Sequence, residues 1–247
     1  MRILGVIPAR YASTRFPAKP LADIDGKSMI QRVYEQALSS QKINKVLIAT
    51  DDKRIFDHVT FFKGTVCMTS PGHVSGTDRC FEALSSQADE YDYVINIQGD
   101  EPFISPKQID LLAGLLDGNT ELATLARKIS DYESLFNPNV VKLVRNRNNE
   151  AMYFSRATIP HIRNTQERDW LSKQTFFKHI GMYGYRSDIL KKITELKVSS
   201  LEKAESLEQL RWLENGFKIK VAETEEETIG IDTPEDLEKA IAFLRSK

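Results

Sequence analysis

Short apolar runs closed by turn residues alternate with stretches of helical periodicity down the first hundred residues, and this alternation restricts the fold more than any other feature. "RILGVIPA" reads as a strand, and Met29, Val33, Ala37 and Leu38 then recur at helical spacing. "KVLIAT" reads as a second strand, and "DDKRIFDHV" follows as a helix start with acids in its first turn. "TVCMT" and "YVINIQ" are further short strands. Strands separated by helices predict an α/β fold with a parallel sheet covered on both faces.

The texture changes after about residue 120. "ELATLARKI", "VVKLV", "MYFSRATIP" and "KHIGMYGYR" read as strands with less helix between them, so an antiparallel or mixed portion is expected on the parallel core. "SLEQLRWLENG" predicts a helix with Leu207, Leu210 and Leu213 on one face and Gly216 as its stop. "FKIKVAE" alternates as a half-exposed strand. The last helix has Thr233 as its cap, Pro234 at the first position and a stripe of Leu237, Ala240, Ile241 and Leu244. No repeat, low-complexity tract or linker interrupts the chain, so a single domain spanning 1–247 is expected.

Composition narrows the function classes. The net charge is −1, which argues against the basic face that non-specific nucleic-acid binding requires. Cys67 and Cys80 have no metal or redox spacing, the usual pattern of a reduced compartment. The apolar N-terminal stretch is too short for a secretory core, and no run is long enough to span a bilayer. The expectation is a cytoplasmic protein without membrane or nucleic-acid partners.

The opening loop "VIPARYASTRFPAKPL" carries Arg10, Arg15 and Lys19, yet the first acid of the chain is Asp23. These cations are either a solvated patch or the receptor of an external anion. Three acid-bearing segments end apolar strands: Asp51 and Asp52, Asp100 with Glu101, and Asp232. Asp51 and Asp52 read as helix-capping acids. Asp232 precedes a cap position that Thr233 already fills, which leaves a first-turn role and a functional one both open. In "IQGDEP", Gly99 permits an unusual turn after a buried strand, and the polar groups there read as a site. In a parallel sheet the cations, Asp100 and Asp232 converge at the strands' carboxyl ends, where ligands bind. Such an arrangement suits a metal-bound polyphosphate: one or two carboxylates hold Mg²⁺ and cations neutralise phosphate. The four histidines, His179 among them, lack metal spacing, and Tyr183 and Tyr185 read as sheet packing.

Competing motifs fail. Gly26-Lys27-Ser28 resembles the end of a P-loop, but Leu21 stands where the first glycine belongs. Neither a G-x-G-x-x-G after the first strand nor a G-x-S-x-G elbow is present.

Taken in order, "IPARYASTRFPAKPL", "VSGTDR", "NIQGDEP", "MYFSRATIP", "KHIGMYGYR", "LEQLRWLENG" and "GIDTPEDL" resemble the 3-deoxy-manno-octulosonate cytidylyltransferase family over essentially the whole chain. The resemblance implies a Rossmann-like nucleotide-diphospho-sugar transferase fold, three-layered, with a mostly parallel mixed sheet and a small antiparallel insertion. It implies CTP and an acidic eight-carbon sugar as substrates, Mg²⁺ as cofactor, a homodimer, and a place in lipopolysaccharide biosynthesis. By this likeness Arg10, Arg15 and Lys19 contact the triphosphate. Pro8, Ala9, Ser75, Gly76, Thr77, Arg79 and Gln98 hold the nucleotide, and Asp100 and Asp232 hold the metal. Arg156, His179, Tyr183, Tyr185, Glu208 and Gln209 line the sugar-acid pocket, which reverses the packing reading of His179 and the tyrosines. Asp100, Lys19 and Arg10 are the expected catalytic groups. One departure stands out: Ala18 occupies the place of a family glycine, and a positive φ there would strain it.

Three alternatives are weighed. CMP transfer to another acidic sugar, such as an 8-amino relative or a sialic acid, would be decided around Arg156 and Tyr185. A non-catalytic nucleotide sensor has no need for both Asp100 and Asp232. An RNA-binding module predicts steeply salt-dependent affinity.

Overall fold

The strand expected at the start is β1 (Ile3–Ala9), buried along nearly its whole length. It belongs to a computed structural model that describes residues 1–12, 16–227 and 230–245. The chain sorts into two compact units, Met1–Gly114 with Glu227–Lys247, and Leu115–Glu226.

In the first unit β1 leads through a 3-10 turn at Lys19–Leu21 to a two-stranded hairpin, β2 (Asp23–Ile24) and β3 (Lys27–Ser28). Helix α1 (Met29–Leu38) follows, capped by the Ser28 hydroxyl. Its buried face is Met29, Ile30, Val33, Tyr34 and Ala37; Leu38, expected in that stripe, lies exposed at the helix end. Next come β4 (Lys45–Thr50), α2 (Lys53–Phe61), β5 (Val66–Met68), α3 (Gly76–Ser85), β6 (Tyr93–Asn96) and α4 (Pro106–Ala113). The four main strands are parallel in the order β6-β1-β4-β5. Asp52 caps α2 as expected, accepting from the Arg54 amide at 2.9 Å. Asp51 does not share that task, because Arg79 claims its carboxylate at 2.7 Å.

The second unit is the antiparallel-rich portion anticipated after residue 120. It contains β7 (Leu122–Lys128), α5 (Tyr132–Phe136), β8 (Lys142–Arg145), β9 (Ala151–Ser155), α6 (Trp170–Lys173) and β10 (Phe177–Arg186). Then follow α7 (Ser187–Thr194), α8 (Ser200–Glu205), α9 (Gln209–Glu214) and β11 (Ile219–Glu223). β10 runs antiparallel to β7 and β8, β8 antiparallel to β9, and β11 parallel to β7. Gly216, at φ +83°, ends α9 as its sequence predicts. Leu207 and Leu210 are buried there, but Trp212 rather than Leu213 completes the buried face.

Helix α10 (Pro234–Arg245) brings the chain back to the first unit. Its Thr233 cap accepts from the Asp236 amide at 3.3 Å. Ala240 packs with Ile24, Met29 and Ile231, all fully buried, and Leu237, Ile241 and Leu244 lie at the margin of this cluster. Each fully buried aliphatic side chain contributes roughly 1.5–3 kcal/mol. That burial fixes the segment that carries Asp232.

Candidate active site

The strand order creates the site. From β1 the chain moves outward through β4 to β5, then returns to place β6 on the other side of β1. The crevice outside the carboxyl ends of β1 and β6 is therefore a topological switch point, the place where open α/β sheets bind ligands. A cleft of about 460 Å³ lies there. Pro8, Ala9 and Arg10 line it from the exit of β1, and Gln98, Gly99 and Asp100 from the exit of β6, with Lys19 and Asp232 completing the wall. A Cβ on Gly99 would stand 2.8 Å from the Pro8 carbonyl oxygen, so only glycine lets the two exits approach this closely.

Lys19 answers the puzzle of the unpaired cations. Its Nζ donates to Asp100 Oδ2 at 2.8 Å, to Asp232 Oδ1 at 3.1 Å and to the Ile231 carbonyl at 3.0 Å. The counter-ions missing from its own segment come from 81 and 213 residues away. The Ile231 amide donates to the Asp100 carbonyl at 2.9 Å, which locks the two acid-bearing segments together. Asp236 Oδ2 accepts from the Asp232 and Thr233 amides, both at 3.1 Å, and steadies the turn. Burial pushes the Asp236 carboxyl up, but those amide donors outweigh it and hold it below its ordinary value. Ala18 does adopt the left-handed conformation, φ 59°, immediately before Lys19.

Two carboxylate oxygens, from Asp100 and Asp232, lie within hydrogen-bond reach of one ammonium. Among the described residues no group of three or more His, Cys, Asp or Glu forms a metal cage. This donor set fits Mg²⁺, which takes one or two carboxylates and completes its shell with phosphate and water oxygens.

The other residues expected at the nucleotide divide. Arg10 is exposed in the cleft, and Gln98 is half-buried in its wall. Ser75 caps α3, accepting from the Asp78 amide at 3.1 Å, with Gly76 and the buried Thr77 in the first turn; α3 packs on β1. Arg79, expected at the nucleotide, is buried. Its side chain is 1 % exposed, and its guanidinium is committed to Asp51 and Thr69. It braces α3 from beneath. Arg15 lies outside the described residues.

The residues expected at a sugar acid all belong to the second unit. A bulge in β10 organises them: its register against β7 shifts between Ile180 and Tyr183. The Thr124 hydroxyl fills the bulge, 2.8 Å from the Met182 carbonyl oxygen and 3.0 Å from His179 Nε2. The His179 ring meets Tyr183 at 5.2 Å and Phe154 at 5.1 Å between centroids. Tyr183 and Tyr185 stack at 6.0 Å, and Trp212 meets both edge-on. Burial lowers the His179 pKa to about 3, so the imidazole is neutral at ordinary pH. Burial, aided by Tyr185 and Glu208, pushes the Tyr183 hydroxyl well above its ordinary value. That hydroxyl and Trp212 Nε1 are buried and find no hydrogen-bond partner among the described residues. Gln209 is buried, and Glu208 lies 3.9 Å from Arg211.

Arg156 is half-buried, and its guanidinium donates to the carbonyl oxygens of Glu205 at 2.7 Å, Pro138 at 3.2 Å and Ser206 at 3.4 Å. Thr124, Phe154, Glu205 and Trp212 are missed by the sequence reading. Each lies in an ordinary strand or helix, and only folding brings it to its partners.

Comparison with known proteins adds four findings. The family model described as cytidylyltransferase matches residues 4–225. The chain is 60 % identical over the full length of both chains to a 3-deoxy-manno-octulosonate cytidylyltransferase of Parabacteroides distasonis. It is 61 % identical, over 95 % of this chain and 94 % of the relative, to one of Cytophaga hutchinsonii. A solved CMP:2-keto-3-deoxy-manno-octonic acid synthetase, complexed with CTP, is similar at a TM-score of 0.92 and 43 % identity, covering 100 % of this chain and 99 % of that one.

Proposed function

The chain belongs to the 3-deoxy-manno-octulosonate cytidylyltransferase family, and on that premise we propose how its residues join CTP to 3-deoxy-manno-octulosonate (KDO), yielding CMP-KDO and pyrophosphate. The observation that carries the mechanism is the convergence of Lys19, Asp100 and Asp232 at the exits of β1 and β6.

The anomeric hydroxyl of the sugar acid attacks the α-phosphorus of CTP, the bond to the bridging oxygen breaks, and pyrophosphate leaves. Transfer at phosphorus requires in-line alignment and charge neutralisation, and no protein nucleophile is needed. Arg10, exposed in the cleft, and Arg15 meet the outer phosphates. Lys19 exchanges its carboxylate partners for phosphate oxygens and stabilises the charge that gathers on the leaving group. Pro8, Ala9 and Gln98 at the strand exits, with Ser75, Gly76 and Thr77 at the start of α3, hold the nucleoside. Asp100 and Asp232 would hold Mg²⁺, which supplies Lewis-acid neutralisation of the phosphates when bound. In the second unit Arg156 meets the sugar's carboxylate. The unsatisfied Tyr183 hydroxyl suits a ligand rich in hydroxyls, since a buried polar group without a partner costs about 1–3 kcal/mol. Neutral His179 serves there as a hydrogen-bonding group rather than a charge.

Magnesium dependence, homodimerisation and cytoplasmic residence belong to the same proposal and rest on the family likeness. Among the described residues no helix is long and apolar enough to cross a membrane.

The test is pyrophosphate release from CTP with KDO, its 8-amino relative and a sialic acid, each with Mg²⁺ and with a chelator. Release with KDO that stops on chelation is expected. Silence with every acceptor would refute the assignment.

A further inference from the structure

Lys142 on β8 is a fully buried ammonium that no role assigned so far explains. Its Nζ donates to the Asn137 carbonyl at 2.9 Å and the Val140 carbonyl at 2.7 Å. Among the described residues it meets no carboxylate. Withdrawing an ammonium from water without an ion-pair partner is expensive, and a methionine in its place would avoid that cost.

The surroundings make the cost harder to explain on structural grounds alone. The segment that Lys142 ties down, residues 137–140, includes Pro138, whose carbonyl receives Arg156 NH1. Lys142 also pairs in register with Ser155, the neighbour of Arg156. Glu205 is the acid at hand, but its carboxylate oxygens accept from the Ser155 hydroxyl at 2.6 Å and the Arg156 amide at 2.9 Å. Two cations thus share one carboxylate that bonds to neither side-chain charge. Burial first, then the Arg156 charge, holds the Lys142 pKa below its ordinary value, with Glu205 opposing them.

We infer that Lys142 is a positioning residue for the acidic substrate: its ammonium fixes the 137–140 segment that seats Arg156 and leaves a surplus positive charge for the sugar's carboxylate to neutralise. This rests on the sugar-acid reading of Arg156 given above. The surplus disfavours a neutral ligand at the same place, so Lys142 contributes to selection of acids over their uncharged analogues.

The experiment compares the unaltered chain with Lys142→Gln and Lys142→Met, using CTP and either KDO or its C1 carboxamide. Gln keeps an amide donor on a side chain one atom shorter but carries no charge, which separates the electrostatic role from the bracing role. For Lys142→Gln, KM for KDO should rise about tenfold, with KM for CTP and thermal stability nearly unchanged. Its preference for acid over carboxamide should fall by a similar factor. Lys142→Met should lose the same preference and also show a lower kcat, because the 137–140 segment is no longer held. Equal effects on acid and carboxamide, or an unaltered KM for KDO in Lys142→Gln, would overturn the inference while leaving the assigned reaction intact. Failure of the unaltered chain to turn over KDO would instead remove the reading and the inference together.

Discussion

Lys19 and Lys142 are both withdrawn from water, with 15 % and 0 % exposure, yet they are held in opposite ways. Lys19 lies between two carboxylates at 2.8 and 3.1 Å, so its trio carries one positive and two negative charges. Among the described residues Lys142 bonds two carbonyls, and Glu205 is the acid that it and Arg156 share. The first arrangement has negative charge to spare and is suited to receive a cation. The second has positive charge to spare and is suited to receive an anion. On the proposed reading, Lys19 and its carboxylates serve the metal-bound nucleotide, and Lys142 with Arg156 serves the acid. The partners of Lys19 are also partly exposed, Asp100 at 34 % and Asp232 at 47 %, so they can be exchanged.

The sharpest way to break this contrast is Asp100→Asn. Turnover should fall by about 100-fold or more, while the melting temperature shifts by only a few degrees because the side chain is partly solvated. Near-normal pyrophosphate release would take Asp100 out of the metal role. Asp232→Asn tests whether the second carboxylate is an equal partner. It is the more exposed of the two, and a smaller loss of about tenfold is expected, accompanied by a higher Mg²⁺ requirement that a metal titration would register. Equal losses for both variants would mean that exposure does not rank them.

The dryness of the second unit can be checked through His179. Its folded pKa of about 3 lies below the ordinary value of 6.5. Between those limits the unfolded chain binds a proton that the folded chain refuses, so stability falls as pH falls from 6.5 toward 3. The penalty reaches about 2 kcal/mol at pH 5. In urea melts His179→Phe should lack this component, so its stability relative to the parent should improve by that amount between pH 7 and pH 5. A constant difference would show that the aromatic cluster admits water. The smallest effect is reserved for Ala18→Gly. A left-handed alanine costs about 1–2 kcal/mol, part of which glycine returns through its freer unfolded chain. The variant should be more stable by about 1 kcal/mol or less, with turnover unaltered. A loss of stability would contradict the strained geometry at φ 59°.

How much of this was legible beforehand differs by element. The four parallel strands follow from short apolar runs closed by turn residues, and the helices after β1 and β4 from helical spacing and capping acids; the helices α3 and α4 were not read. The Thr233 cap and the Gly216 stop were equally readable, because each acts on neighbours within a turn of chain. Asp51 was misread for the same local reason. It stands beside a helix start, and nothing nearby announces that Arg79, 28 residues on, will take its carboxylate. The bulge in β10 was hidden too, since "KHIGMYGYR" alternates as an ordinary strand and only the pairing with β7 shows the shift at Gly181 and Met182.

Local pattern therefore determined the elements, their order and the positions of the polar residues that interrupt them, because those properties depend on interactions a few residues apart. Folding alone decided which charges meet. Lys19 is neutralised by acids 81 and 213 positions away, and Lys142 is left with carbonyls beside a carboxylate engaged elsewhere. Coulomb energy depends on distance in space and on the water removed between charges, and neither quantity is written in the order of residues along a chain.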